Sequence, residues 1–234
     1  MNIVLLGYGR MGRAIEQIAL ERGHQIIAKI DKDHSKVDFK NADVAIDFSV
    51  PEAAFDNISK ALNNKIPVVS GTTGWSDRYD EAVTLCKKNN SGFLYASNFS
   101  VGVNLFFELN KYLAKLIQPY DYKVAIEETH HIHKLDSPSG TAITLAEQIL
   151  PLSDHIKWTL ETGNNSEEGL PIRSKREGEV TGTHEITYSS EIDCISIKHE
   201  AHQRKGFALG AVLAAEFMVG KTGIYTMKDV LKLK

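Results

Sequence analysis

Residues Ile3–Leu6 form a short apolar run, and Gly7-Tyr8-Gly9-Arg10-Met11-Gly12 follows it directly. Ile15, Ile18 and Ala19 then recur at helical spacing, and Gln25–Ile30 reads as a second strand ending at Asp31. GxGxxG alone is a weak signal. Strand, glycine turn, helix, strand and terminal acid in that order make the fingerprint of a dinucleotide-binding βαβ unit. The first glycine permits the tight turn, the second lets a pyrophosphate approach the backbone, and the third lets helix and strand pack closely. Asp31 falls about 20 residues beyond the glycines, where an acid accepts hydrogen bonds from a ribose diol. The competing reading is a glycine-rich turn followed by an ordinary surface aspartate.

The alternation continues. Val44–Phe48, Ile66–Val69 and Phe93–Tyr95 read as strands, with helices over Pro51–Asn63 and from the turn after Gly74 to about Lys88. The fold class is therefore α/β, a doubly wound parallel Rossmann sheet. Ligands in such sheets sit at the carboxyl ends of the strands, so Gly7–Gly12, Gly71–Gly74 and Ala96–Asn98 face one crevice. Gly71-Thr72-Thr73 either lines the nicotinamide end with backbone groups and hydroxyls or is an ordinary strand-to-helix turn. Ser97–Asn104 starts a helix in which Leu105, Phe106, Leu109, Tyr112, Leu113 and Leu116 read as core. The expected organisation is a dinucleotide-binding domain over 1–101 and a second α+β substrate and oligomerisation domain of mixed sheet over 102–206. Residues 207–234 are expected to return to the first domain.

The second half turns on Glu127-Glu128-Thr129-His130-His131-Ile132-His133-Lys134-Leu135-Asp136-Ser137-Pro138-Ser139-Gly140-Thr141-Ala142. This reads as a strand (Tyr122–Glu127), a polar loop and a helix starting near Thr141. The helix start offers unpaired N–H groups and the positive end of a dipole to a carboxylate, while a histidine moves a proton. A plain solvated loop is the bland alternative. Metal ligation by His131, His133 and Glu128 or Asp136 is another, but the Lys134 ammonium beside them opposes a divalent cation, so no metal is expected. Residues 153–179 are polar and read as a mobile lid or an exposed connection. Val180–Ser189 and Ile192–His199 read as an antiparallel hairpin, Ala201–Gly206 as a basic loop, and Phe207–Val219 as a buried helix.

A formal net charge of −3 over 234 residues gives no reason to expect a nucleic-acid or membrane partner. Cys86 and Cys194 belong to no paired motif, which fits a reducing compartment. The N-terminus lacks a basic n-region, and the longest apolar segment, Phe207–Val219, is too short to span a bilayer. A cytoplasmic location is expected.

Gly7–Arg13, Gly71–Gly74, Asn98–Asn104 and the run Glu128–His131 through Lys134 to Pro138–Ala142 together resemble the dihydrodipicolinate reductase family, the 4-hydroxy-tetrahydrodipicolinate reductases of lysine and diaminopimelate biosynthesis. The resemblance covers nearly the whole chain. It implies NADH or NADPH as hydride donor, a cyclic dicarboxylate substrate, and a homotetramer joined through second-domain sheets. It implies that His130 is the proton donor and Lys134 the second catalytic residue. By the same resemblance, His131, Gly140, Thr141 and Arg204 bind substrate. Gly7, Tyr8, Gly9, Arg10, Met11, Gly12, Asp31, Gly71, Thr72, Thr73, Ala96, Ser97, Asn98 and Phe99 bind cofactor.

Two positions depart from the family's pattern. Val50 stands where many members carry arginine, which removes a phosphate contact, and Ser137 stands where alanine is common. Asp31 favours NADH, while Lys32 beside it offsets repulsion of a 2′-phosphate, so dual use with NADH equal or better is expected. Two rivals are a Rossmann reductase for a different imine or carbonyl acid, and a non-catalytic dinucleotide sensor. A sensor would have no need of His130 together with Lys134.

Overall fold

The computed structural model describes residues 1–31, 38–161, 169–203 and 205–233. In chain order the first elements are β1 (Asn2–Leu6), α1 (Arg10–Glu21), β2 (Gln25–Ile30), β3 (Val44–Asp47), α2 (Pro51–Asn63), β4 (Val68–Ser70), α3 (Tyr79–Asn89) and β5 (Gly92–Tyr95). Then come α4 (Val101–Ile117), β6 (Lys123–His130), α5 (Gly140–Ile149), β7 (Trp158–Leu160), β8 (Leu170–Arg176), β9 (Thr183–Ser189) and β10 (Cys194–Glu200). The chain finishes with α6 (Lys205–Met218), β11 (Gly223–Tyr225) and α7 (Met227–Leu231). It forms two compact units, Met1–Val101 with Lys205–Lys234, and Gly102–Arg204.

The first unit holds a parallel six-stranded sheet in the order β11-β5-β4-β3-β1-β2. Successive side chains of a strand point to opposite faces. Ile3 and Leu5 of β1 accordingly pack with Ile15, Ile18, Ala208, Ala211 and Val212 of α1 and α6. Val4 and Leu6 pack with Ala54, Ile58, Leu62 and Ala82 of α2 and α3. A strand buried on both faces reads as a continuous apolar run, and that is why this half of the fold was legible. β11 was not expected, because three residues carry too little pattern to identify a strand.

The second unit is a five-stranded mixed sheet in the order β10-β9-β6-β8-β7. β6 runs parallel to β8 and antiparallel to β9, and α4 and α5 supply the apolar residues that cover it. Three expectations change here. β6 does not stop at Glu127 but continues to His130, with Val124, Ile126, Glu128 and His130 all facing inward. The stretch 153–179, read as a lid or connection, contains β7 and β8, which extend the sheet in parallel; its residues 162–168 lie outside the described ones. In α4, Phe106 is core and Leu113 packs against it, but Leu105, Leu109, Tyr112 and Leu116 form an exposed apolar stripe.

Helix α6 is mostly alanine, glycine and other apolar residues, which lets it sit close against its own unit. A Cβ on Gly210 would fall 1.7 Å from the carbonyl oxygen of Phe99, whereas one on Gly206 would meet nothing within 4 Å. Gly210→Ala is therefore expected to lower unfolding stability in urea by about 3 kcal/mol through overpacking. Gly206→Ala should be neutral or stabilise by up to about 1 kcal/mol. Equal effects of the two would contradict this packing.

Candidate active site

The glycine turn has the shape that a pyrophosphate needs. Gly7 has φ +97°, and a Cβ there would meet the Phe48 carbonyl oxygen at 2.1 Å. A Cβ on Gly12 would lie 2.3 Å from the Gly7 carbonyl oxygen, while one on Gly9 would meet nothing within 4 Å. The first and third glycines are thus packed and the middle one opens outward. Gly9 caps α1 with no side-chain hydrogen bond, which leaves first-turn N–H groups for an anion. Arg10 is exposed, and Met11 packs on the core. The Tyr8 hydroxyl bonds Glu16, with the Lys29 ammonium 4.8 Å from its ring centre. Asp31 is exposed at the end of β2. Lys32 lies outside the described residues. These residues fit a dinucleotide.

Beneath the next loops sits Asp47, fully buried at the end of β3. Its Oδ1 accepts from Ser49 (2.6 Å) and Asn57 (3.1 Å), and its Oδ2 from Ser70 (2.9 Å) and Thr72 (2.8 Å). Burial pushes its carboxyl up, against the pull of these four neutral donors. Thr72 Oγ1 also accepts the Ser49 N–H at 2.8 Å. The Thr72 hydroxyl is therefore turned inward, and only Thr73 presents a side chain outward. Ala96 and Asn98 are half-buried, Ser97 is exposed, and the Phe99 ring is core, packed on Phe48. Nothing in the spacing of Asp47 marked it as the support of these loops.

In the second unit the sheet register assembles a polar cluster. Glu128 lies opposite Ser174 on β8 and His184 on β9, and His130 lies opposite Arg176. Glu128 has no exposed surface. Its Oε1 accepts from the Ser139 backbone N–H (3.0 Å), the Ser174 hydroxyl (2.8 Å) and the Arg176 guanidinium (3.2 Å). Its Oε2 lies 3.4 Å from His130 Nδ1 and 3.6 Å from His184 Nε2. Burial pushes the Glu128 carboxyl up, but His184, Ser139 and Ser174 outweigh it and hold it well below the usual range. His184 Nε2 is also 3.1 Å from Ser139 Oγ, which caps α5 by accepting the Ala142 N–H at 3.2 Å.

Of the residues expected here, Gly140 and Thr141 directly follow the Ser139 cap, and the Lys134 charge acts on the His130 imidazole. Gly140 opens α5, and a Cβ on it would meet nothing within 4 Å. Thr141 is half-buried in the same first turn. Lys134 is bound by Asp136 at 2.7 and 2.8 Å. His131 stacks obliquely with His133, 6.1 Å between ring centres, and the outer side of His133 lies 3.5 Å from Glu179. Arg204 lies outside the described residues. Ser174, Arg176 and His184 were missed because only the sheet register brings them to Glu128, and Ser139 because the loop after β6 brings its N–H back to that carboxylate. Of these, only Ser139 carried a local signal, as a helix cap. Glu128, His130 and His184 offer ligand atoms within 4.8 Å of one another. The Arg176 guanidinium on the same carboxylate opposes a divalent cation there.

The His130 imidazole is lowered to about 4, chiefly by burial, with His184, Lys134 and Arg176 adding to it and Glu128 opposing. Between about pH 6.5 and pH 4 the unfolded chain binds a proton at this position that the folded chain does not. Its contribution therefore makes stability fall as pH falls through that window. An NMR titration of the ligand-free protein should show His130 neutral down to about pH 4. A midpoint near 6.5 would contradict the burial argument.

The family model described as dihydrodipicolinate reductase, N-terminus, matches residues 1–99, and that described as dihydrodipicolinate reductase, C-terminus, matches 102–231. The chain is 59% identical to 4-hydroxy-tetrahydrodipicolinate reductase of Christiangramia forsetii, over 99% of this chain and 98% of that one. It is 38% identical to the Rickettsia rickettsii protein of the same name, over the full length of both. Among solved structures, dipicolinate-bound dihydrodipicolinate reductase from a Paenisporosarcina species superposes with a TM-score of 0.78 at 21% identity, covering 97% of each chain.

Proposed function

The chain belongs to the dihydrodipicolinate reductase family of NAD(P)H-dependent oxidoreductases, and we propose that it reduces 4-hydroxy-tetrahydrodipicolinate to tetrahydrodipicolinate for lysine and diaminopimelate synthesis. The observation that carries this reading is the placement of His130 at the end of β6. It is tied through Glu128 to Ser139, the cap of the helix whose first turn, Gly140–Thr141, suits a carboxylate. A nicotinamide cofactor supplies the hydride when bound. The chain's own residues hold the dicarboxylate, orient it and deliver one proton. Loss of the 4-hydroxyl as water, one hydride and one proton balance the reaction.

Lys134 exchanges Asp136 for a substrate carboxylate in this scheme, and His131 and Arg204 add further polar contacts. Asp31 accepts the ribose diol and Lys32 tempers its repulsion of a 2′-phosphate, so both cofactors serve, with NADH equal or better. The enzyme works as a cytoplasmic homotetramer joined through second-unit sheets. In support of the sheet contact, β10 at the edge of the second sheet has mostly exposed side chains.

A coupled assay with freshly generated substrate tests the activity. His130→Gln should lower kcat by about a hundredfold or more, with a smaller change in KM. Lys134→Ala should raise KM and lower kcat together. Near-parent turnover in His130→Gln would remove it from the proton-donor role. For the cofactor, Lys32→Ala should impair NADPH use and spare NADH use. A strong NADPH preference that survives Lys32→Ala would place the phosphate contact elsewhere.

A further inference from the structure

The two oxygens of Glu128 are served unequally. Oε1 has three donors, while Oε2 is buried and has no hydrogen bond among the described residues. His130 Nδ1, equally buried, also has none. The two atoms face each other at 3.4 Å, an ion-pair distance with the hydrogen bond still unmade. Unpartnered buried polar groups are uncommon, and a facing pair of them on a carboxylate and an imidazole calls for a physical account. A charged His130 would complete this contact, because charge-assisted hydrogen bonds are shorter and stronger.

We propose that Glu128 is the positioning residue of the site: it turns His130 so that Nε2 meets the ligand, and its Oε2 balances the proton that His130 takes up when a dicarboxylate binds. This rests on the reading of His130 as proton donor. The titratable and charged groups facing His130 are Glu128 on its own strand, Arg176 on β8, His184 on β9 and Lys134 on the following loop. Of these only Glu128 favours an imidazolium, and burial opposes it, so the resting ring is neutral. A dianion held by Lys134 and the start of α5 cancels the opposing positive charge, and the ring then gains a proton from solvent. Nε2, on the far side of the ring, lies against Gly182, where a Cβ would come within 3.1 Å, so a glycine there keeps a side chain away from that nitrogen. The proton passes from Nε2 to the substrate as the electron pair arrives from the reduced nicotinamide, and the imidazole returns to neutral.

Calorimetry of pyridine-2,6-dicarboxylate binding at pH 7, in buffers of different ionisation enthalpy, counts the protons exchanged. The parent should take up about one proton, and Glu128→Gln and His130→Gln less than about half of that. Glu128→Gln should also lower kcat by roughly 10–100-fold, shift the pH profile of kcat, and change KM less. No uptake by the parent, or undiminished uptake by Glu128→Gln, overturns the proposal. Parent-like turnover in His130→Gln would sink the proton-donor reading itself. An inactive His130→Gln beside a parent-like Glu128→Gln sinks only the role of Glu128. If Glu128→Gln does not fold, nitrogen-15 NMR of the parent decides. A ring protonated at Nδ1 at rest and at both nitrogens with ligand supports the proposal. Protonation at Nε2 alone, or no change with ligand, overturns it.

Discussion

A carboxylate without exposed surface persists as a charge only where donors surround it, and in the second unit Glu128 is that charge. Its donors come from two elements, a hydroxyl and a guanidinium on β8 and a backbone N–H at the cap of α5, and an imidazole on β9 lies close by at 3.6 Å. β6 lies between β8 and β9, so both neighbours can reach it. A slip of one residue in either pairing would turn Glu128 and His130 to the other face and dissolve the cluster. Register, helix placement and the orientation of His130 therefore depend on the same side chain.

Asp47 makes the comparison in the first unit. It too is buried at a strand end and supports loops that fit a ligand, yet its carboxyl is pushed up while that of Glu128 is held down. The donors to Asp47 are hydroxyls and an amide, whereas Glu128 also has Arg176. Neutral donors satisfy lone pairs and fix geometry. Arg176 adds a charge-assisted hydrogen bond, and a carboxylate held as a charge is what a proton donor next to it needs. The glycine turn carries one charged side chain, Arg10, which is exposed. Its backbone is packed at Gly7 and Gly12 and open at Gly9.

Much of this was legible in the sequence, for physical reasons. β1, β3 and the helices between the parallel strands carry the periodicity that burial imposes, and the glycine turn carries its steric needs in its residue types. β7 and β8 escaped because Trp158–Leu160 is short and Leu170–Arg176 puts proline, arginine, serine and lysine into a strand. His130 reads as part of a loop because polar residues at a strand end look solvated, whereas Glu128 and His130 both face inward on β6. α4 misled in the other direction, since an apolar stripe at helical spacing does not say whether it is covered. Ser174, Arg176 and His184 lie more than forty residues from Glu128 in sequence, and only folding reveals them as its neighbours.

If one buried carboxylate positions and charges the proton donor, removing both members should cost little more than removing the donor alone. A double-mutant cycle on kcat/KM with Glu128→Gln and His130→Gln measures this directly. The expected result is strong non-additivity, with the double variant about as active as His130→Gln. Additive losses, each multiplying the other in full, would mean that Glu128 and His130 act independently and would contradict the account.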